Sequence, residues 1–228
     1  AGIPYVGSGV LGSALAMDKA MAKLILQQHG IPQVPWLLVN RRDWERDPGA
    51  VSAKIGNTLG YPCFVKPANM GSSVGVSKVH NPTELAAAME LAGRLDRRIV
   101  AGKGINVREL EVSVLGKEAP VASVVGEVVS VNEFYDYSAK YVEEGSELIV
   151  PADVPADVQA EIQRIAVEAF IATRGWTATR FGRQMAGDPL FVFDLREGRF
   201  DCLAPLLLFV RHRRLLVPFP AWPGGSPA

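Results

Sequence analysis

At 228 residues, 48% hydrophobic and 21% charged, the chain can bury one large or two small cores and is not of the disordered class. Lysine plus arginine and aspartate plus glutamate each number 24, so the formal net charge is zero. That excludes the broad positive field of a nucleic-acid or anionic-membrane binder and leaves only local anion sites.

The first residues, AGIPYVGSGVLGS, lack an initiator methionine and begin inside what reads as a strand and loop, so the chain is expected to be a piece of something longer. Neither a signal-like start nor an apolar run long enough for a bilayer is present, so a soluble cytoplasmic protein is expected. Ser13 caps a predicted helix through about His29, stopped by Gly30. WLLV (36–39) reads as a short buried strand, and a helix over Pro48 to Leu59 stops at Gly60. PCFVK (62–66) and GVSKV (75–79) read as paired strands around a small loop. Pro82 to Leu95 is an amphipathic helix with Asn81 as cap, proline in the first turn and Glu84 three positions after the cap.

Extended segments follow at 99–101, 108–116 and 120–131, giving a mostly antiparallel sheet with two helices between 61 and 131. NEFYDYSAKYVEEGSE (132–147) is a polar, aromatic loop, Pro155 to about Thr173 a helix, and TATRFGR and LFVFDL two more strands. From Leu203 the text has five prolines, no acidic residue and no sustained periodicity, so no fold is assigned to it. Cys63 and Cys202 stand far apart in apolar contexts and read as buried thiols of a reducing compartment.

FVKPANMGSSVGVSKV (64–79) carries the chemistry. A lysine in an apolar strand needs an anion, and a salt bridge to a nearby carboxylate is the plain explanation. The loop next to it offers another, because Gly71, Ser72, Ser73 and Gly75 are small enough for backbone N–H groups and hydroxyls to cradle phosphate oxygens. The Walker pattern is absent, since no Lys-Ser or Lys-Thr follows the second glycine. Gly71-Ser72-Ser73-Val74-Gly75 also satisfies the nucleophile elbow of serine hydrolases, but a strand rather than a helix follows, and the later histidines, His80 and His212, are badly placed. Lys19, Glu109, Glu111 and Lys140 sit where a nucleotide would want them, although each could equally be a solvated surface residue.

GIPYVGSGVLGSALAMDK, YPCFVKPANMGSSVGVSKV, RELEVSVLG, GEVV, EFYDYSAKY and LIVPADVPADVQAEIQRIAVEAF together resemble the D-alanine–D-alanine ligases, over about residues 2 to 176 and in family order. The resemblance implies an α+β ATP-grasp fold, two α+β subdomains with ATP between them. The expected divisions are 1–59, the end of a missing N-terminal domain with linker helices; 60–145, the small subdomain; 146–202, an incomplete C-terminal subdomain; and 203–228, an irregular tail. It implies that Lys19 and Lys66 contact ATP phosphates beneath a loop bearing Ser72 and Ser73, and that Glu109 holds the ribose hydroxyls. Lys140 would meet the γ-phosphate, while Ser72, Tyr141 and Arg180 would serve catalysis. D-Alanine is the implied substrate, Mg²⁺ the implied cofactor, and a homodimer a possible assembly; the tyrosine-bearing loop favours the D-alanine over the D-lactate branch.

The chain departs from that pattern. The family's glutamate at the adenine edge falls on Gly102, and of three oxygen ligands for Mg²⁺ only Asp194 is acidic, Gly182 and Arg196 occupying the other positions. The Pro-Gly-Phe-Thr turn that cups the second D-alanine is absent. From about Trp176 the text reads as though a different reading frame had been translated. Weak nucleotide binding without ligation is therefore expected, and a non-catalytic nucleotide-binding remnant or another ATP-grasp ligase are the rival readings.

Overall fold

The computed structural model describes residues 8–116, 119–142, 145–174, 191–194 and 199–200. The single helix expected from Ser13 is instead α1 (Val10–Met17) and α2 (Lys19–Gln28), broken at Asp18, whose backbone is extended. The Asp18 carboxylate accepts hydrogen bonds from the N–H groups of Ala20 and Met21, 3.0 Å each, and pairs with Arg98. An aspartate that satisfies two otherwise orphaned amides favours a new helix start over one more turn of the old helix.

Strand β1 (Trp36–Asn40) leads into α3 (Arg41–Arg46), which periodicity did not separate from its surroundings, and then α4 (Pro48–Leu59), capped by Asp47. Strands β2 (Cys63–Pro67), β3 (Ser77–Val79) and β4 (Arg98–Lys103) complete a four-stranded antiparallel sheet in the order β1-β4-β2-β3. Between β3 and β4 lies α5 (Pro82–Leu95), which starts as its residues predict, the Asn81 side chain accepting from Thr83 and Glu84 N–H. The core of this lobe joins Val39, Trp44, Ile55, Cys63, Val65, Leu85, Met89 and Ile99. Each of its large fully buried side chains contributes about 1.5–3 kcal/mol. Cys63 is a free thiol there; burial pushes it up to about 11, so at neutral pH it is an apolar filler rather than a nucleophile.

The second lobe is built from β5 (Glu109–Val112), β6 (Val114–Leu115), β7 (Val121–Ala122), β8 (Gly126–Val129), α6 (Tyr137–Tyr141), β9 (Glu147–Ile149), α7 (Ala156–Arg174), β10 (Phe191–Asp194) and β11 (Arg199–Phe200). Its five-stranded antiparallel sheet runs β11-β10-β5-β8-β9, while β6 and β7 pair separately. The long strands expected at 108–116 and 120–131 are thus each divided. The Ser123 hydroxyl accepts from Ser113 N–H at 3.0 Å, and Ser123 N–H donates to Ser113 carbonyl at 2.8 Å, so a side chain replaces one rung of the ladder where the strands bend apart. Helix α7 covers the sheet through Ile162, Ala166 and Phe170 against Leu110 and Val112.

The expected divisions at 59/60 and 145/146 fall within continuous packing: β1 and α4 share the first sheet or its core with β2 and β4, and β9 pairs with β8. Strand β1 pairs with β4 from Trp36 opposite Gly102 to Asn40 opposite Arg98, which binds residues 36–59 to the first sheet. Helix α2 joins the lobes: Ala20 packs with Ala68 and Val100, whereas Ala22 and Leu26 enter the core beneath α7. The predicted strand TATRFGR and the tail from 203 lie outside the described residues. No helix among the described residues is long and apolar enough to cross a membrane.

Asp96, just past α5, ties the chain leaving β2 to the start of β4. Its carboxylate accepts from Asn69 N–H and Nδ2, both 2.8 Å, and from Arg98 N–H at 3.1 Å. Burial pushes this carboxyl up, but hydrogen bonds from the Asn69 side chain and from the Arg98, Asn69 and Arg97 amides outweigh it and hold the group below the usual carboxylate range. A depressed folded-state value means the contribution is present above the ordinary carboxylate pKa and is lost as pH falls through the folded one. Urea melts below about pH 4 should therefore show a stability loss that Asp96→Asn has already suffered at pH 7; parallel pH profiles for both chains would refute it.

Candidate functional site

Strand β2 answers why a lysine interrupts an apolar run. Cys63, Val65 and Pro67 are buried on one face, whereas Phe64 and Lys66 are half-buried on the other, as a period of two demands. That other face lines a cleft of about 340 Å³ between the two sheets. Lys66 and Ser73 approach it from the first lobe, and Glu109 from β5, where Leu110 and Val112 take the core positions and Glu109 the alternate one. Thus Lys66, Ser73 and Glu109 are brought together although 43 residues of chain separate the first from the last.

The loop between β2 and β3 is shaped by its serines as much as by its glycines. Ser72 and Ser73 both have positive φ, 53° and 57°, in the left-handed region that costs a non-glycine residue about 1 kcal/mol or more. Both hydroxyls are engaged by residues 132–142, a strap that leaves β8 and returns over the cleft. Ser73 Oγ donates to the Tyr135 carbonyl at 2.9 Å, and Ser72 Oγ lies 2.9 Å from Tyr141 Oη. Tyr141 also packs against Tyr137, ring centroids 4.9 Å apart, within α6. Burial, then Glu111, Glu109 and Tyr141, push the Tyr135 phenol up, so it stays a neutral hydrogen-bonding group between the strap and β5.

Lys19 is held against the backbone beside the cleft. It is buried, and its Nζ donates to the carbonyls of Pro67 at 3.2 Å, Ala68 at 3.5 Å and Met70. It does not line the cleft; it fastens the segment that runs from β2 into the glycine-serine loop. The cause is its position as first residue of α2, directly against the carbonyls leaving β2. Lys23, one turn later and also buried, lines the cleft instead, and the i, i+4 spacing of Lys19 and Lys23 was the signal available for it. Lys140 is the fourth residue of α6, its side chain lying outside the described part. Asp194 stands opposite Glu109 in the β10–β5 register, its side chain likewise outside it. Arg180, Gly182 and Arg196 lie outside the described residues.

Several cleft residues had no motif to announce them. Phe64 meets Phe134 edge to face, centroids 5.4 Å apart, with Lys66 5.3 Å over the Phe64 ring. Lys78 and Lys103 also face the cleft, as does the Arg108–Glu127 pair, joined by two contacts of 2.7 and 2.6 Å. Arg108 donates further to the Asp153 carbonyl at 3.0 Å and so fixes the far wall of the cleft. Gly102 leaves its part of that space open, with nothing within 4 Å of where a Cβ would stand. Lys23, Lys66, Lys78, Lys103 and Arg108 line the cleft together with Glu109, Glu127 and Glu133, of which Glu127 pairs with Arg108 and Glu133 with Lys78. Among the described residues no group of three His, Cys, Asp or Glu side chains could hold a metal ion.

Residues 25–189 match the family described as D-ala D-ala ligase C-terminus. The D-alanine–D-alanine ligase of Heliobacterium modesticaldum is 53% identical over 175 residues, 77% of this chain and 48% of the relative. That of Deinococcus radiodurans is 53% identical over 174 residues, 75% of this chain and 51% of the relative. Among solved structures, the VanG D-Ala:D-Ser ligase of Enterococcus faecalis superposes with a TM-score of 0.68 at 32% identity, covering 85% of this chain and 52% of that one. The D-alanine–D-alanine ligase of Coxiella burnetii gives 0.62 at 31% identity, covering 75% and 44%. The chain spans about half the length of the curated relatives it matches.

Proposed function

The chain belongs to the D-alanine–D-alanine ligase family, whose C-terminal region it carries, and from that premise we propose that its cleft binds ATP for the joining of two D-alanines. The observation that carries this reading is the convergence of Lys66, Ser73 and Glu109 on one cleft beneath a strap that Ser72 and Ser73 hold in place. A lysine ammonium and serine hydroxyls suit phosphate oxygens, and a carboxylate accepts from vicinal ribose hydroxyls.

In such a ligation a D-alanine carboxylate oxygen attacks the γ-phosphorus of ATP, giving an acyl phosphate and ADP. The amine of the second D-alanine then adds to the acyl carbon, phosphate leaves, and the amine proton is lost. Protein groups contribute by positioning, by neutralising phosphate charge and by excluding the water that would hydrolyse the acyl phosphate. Lys66 supplies charge on this reading, and the strap supplies cover. The cytoplasm, where ATP and free D-alanine meet, is the compartment it implies.

Magnesium would add charge neutralisation at the phosphates. Of the three positions where the resemblance places its oxygen ligands, Asp194 is acidic and Gly182 and Arg196 offer no carboxylate. That observation favours a second reading, a nucleotide-binding module without turnover.

Calorimetric titration with ATP, together with a phosphate-release assay containing D-alanine and Mg²⁺, separates the readings. Saturable ATP binding is the expected result. Phosphate release that depends on D-alanine identifies the ligase, binding without release identifies the module, and absence of binding overturns the nucleotide proposal.

A further inference from the structure

The strap reaches the first lobe at Glu133, before the tethers at Tyr135 and Tyr141. Glu133 Oε1 lies 2.7 Å from Lys78 Nζ on β3, and Oε2 lies 3.2 Å from His80 Nε2 just beyond it, so each carboxylate oxygen has its own partner. The next residue, Phe134, meets Phe64 of β2 edge to face, and Lys78 Nζ lies 5.9 Å over that same Phe64 ring. Two consecutive strap residues are therefore held by side chains from both strands of one hairpin. With the strap in place Lys78 is 17% exposed and Glu133 54% exposed, so the pair is partly shielded from solvent on the lysine side. Hydrogen bonding from Lys78, with further help from the charges of Lys78 and His80, holds the Glu133 carboxyl below the usual range.

The other two tethers are neutral hydrogen bonds through single hydroxyls. An ionised pair is the stronger kind of contact, and this one stands two residues before Tyr135 and eight before Tyr141. A slip at Glu133 shifts every later contact of the strap.

We propose that Glu133 is a positioning residue, a latch whose pairing with Lys78 and His80 determines how long residues 132–142 stay closed over the cleft; its effect on nucleotide release rests on the ATP reading above. None of this requires Glu133 to touch the ligand. It acts through Tyr135, Tyr141 and the serines they engage.

Hydrogen exchange of the full chain without ligand tests the latch directly, comparing the unaltered protein with Glu133→Gln, Lys78→Glu and the charge-swapped pair Lys78→Glu/Glu133→Lys. Amides 134–142 should exchange about three- to fivefold faster in each single variant, the scale of a partly exposed ion pair. Amides of α5 and α7 should be unchanged, and the swapped pair should return to within about twofold of the original. ATP dissociation from Glu133→Gln should accelerate by the same factor. Unchanged strap exchange in the single variants, a swapped pair no better than either single change, or tighter ATP binding by Glu133→Gln would each overturn the latch; the last would mean that Glu133 competes with phosphate for Lys78. If the unaltered chain binds no ATP, the nucleotide reading fails by itself, and the exchange rates still decide the latch.

Discussion

Lys66→Ala is expected to raise the dissociation constant for ATP about 100-fold while leaving the fold in place, since a charge-assisted contact to phosphate is worth about 1.5–3 kcal/mol. The two halves of that expectation come from the same alternation. On the core face of β2, Val65 is fully buried, and truncating it would open a cavity. On the cleft face, Lys66 is half-buried beside Phe64, so its removal takes away a cation and little packing. Lys66→Arg should keep part of the affinity, because charge is retained but a planar fork replaces a compact ammonium. Calorimetry with a thermal melt on the same sample checks both halves. Undiminished ATP affinity in Lys66→Ala would remove the phosphate role, and a collapsed melting temperature would show that the side chain is structural.

Gly75→Ala should destabilise the chain by about 2–4 kcal/mol and weaken ATP binding with it. Gly75 has φ +73°, and a Cβ there would stand 2.3 Å from Leu95 Cδ1 and 2.9 Å from Pro67 Cγ. Leu95 is 40% exposed at the end of α5 and can swing away; the Pro67 ring, buried at the end of β2, cannot. Relief is therefore partial. Adding Leu95→Ala should recover part of the loss in a urea melt and leave about 1–2 kcal/mol from the left-handed backbone and the proline contact. Because the displaced segment carries Ser72 and Ser73, the single variant should also loosen the strap. A melt indistinguishable from that of the original chain would mean that the loop has room this geometry denies it.

Local signals were strongest where a residue acts on its immediate neighbours. Asn81 before Pro82 and Glu84 announced α5, the apolar run at 62–66 announced β2, and the alternation through 108–116 announced β5. The same strength of local chemistry misled at Asp18. Periodicity carried one helix straight through it, whereas its carboxylate found two amides of α2 and the guanidinium of Arg98, 80 residues away, a partner no window of sequence contains.

Residue order by itself determined that this chain has an apolar strand carrying a lysine, a glycine-serine loop, a carboxylate-bearing strand and a polar, aromatic loop, because propensity, capping and alternation act over a few residues at a time. Only the tertiary structure decided which of the candidates share a space. Strand β1 pairs with β4, the carbonyls leaving β2 accept from Lys19, and Lys23, Lys78 and the Phe64–Phe134 contact line the cleft with Lys66. Contacts of that kind join residues distant in the chain, and their partners exist only once both sheets have formed around α2.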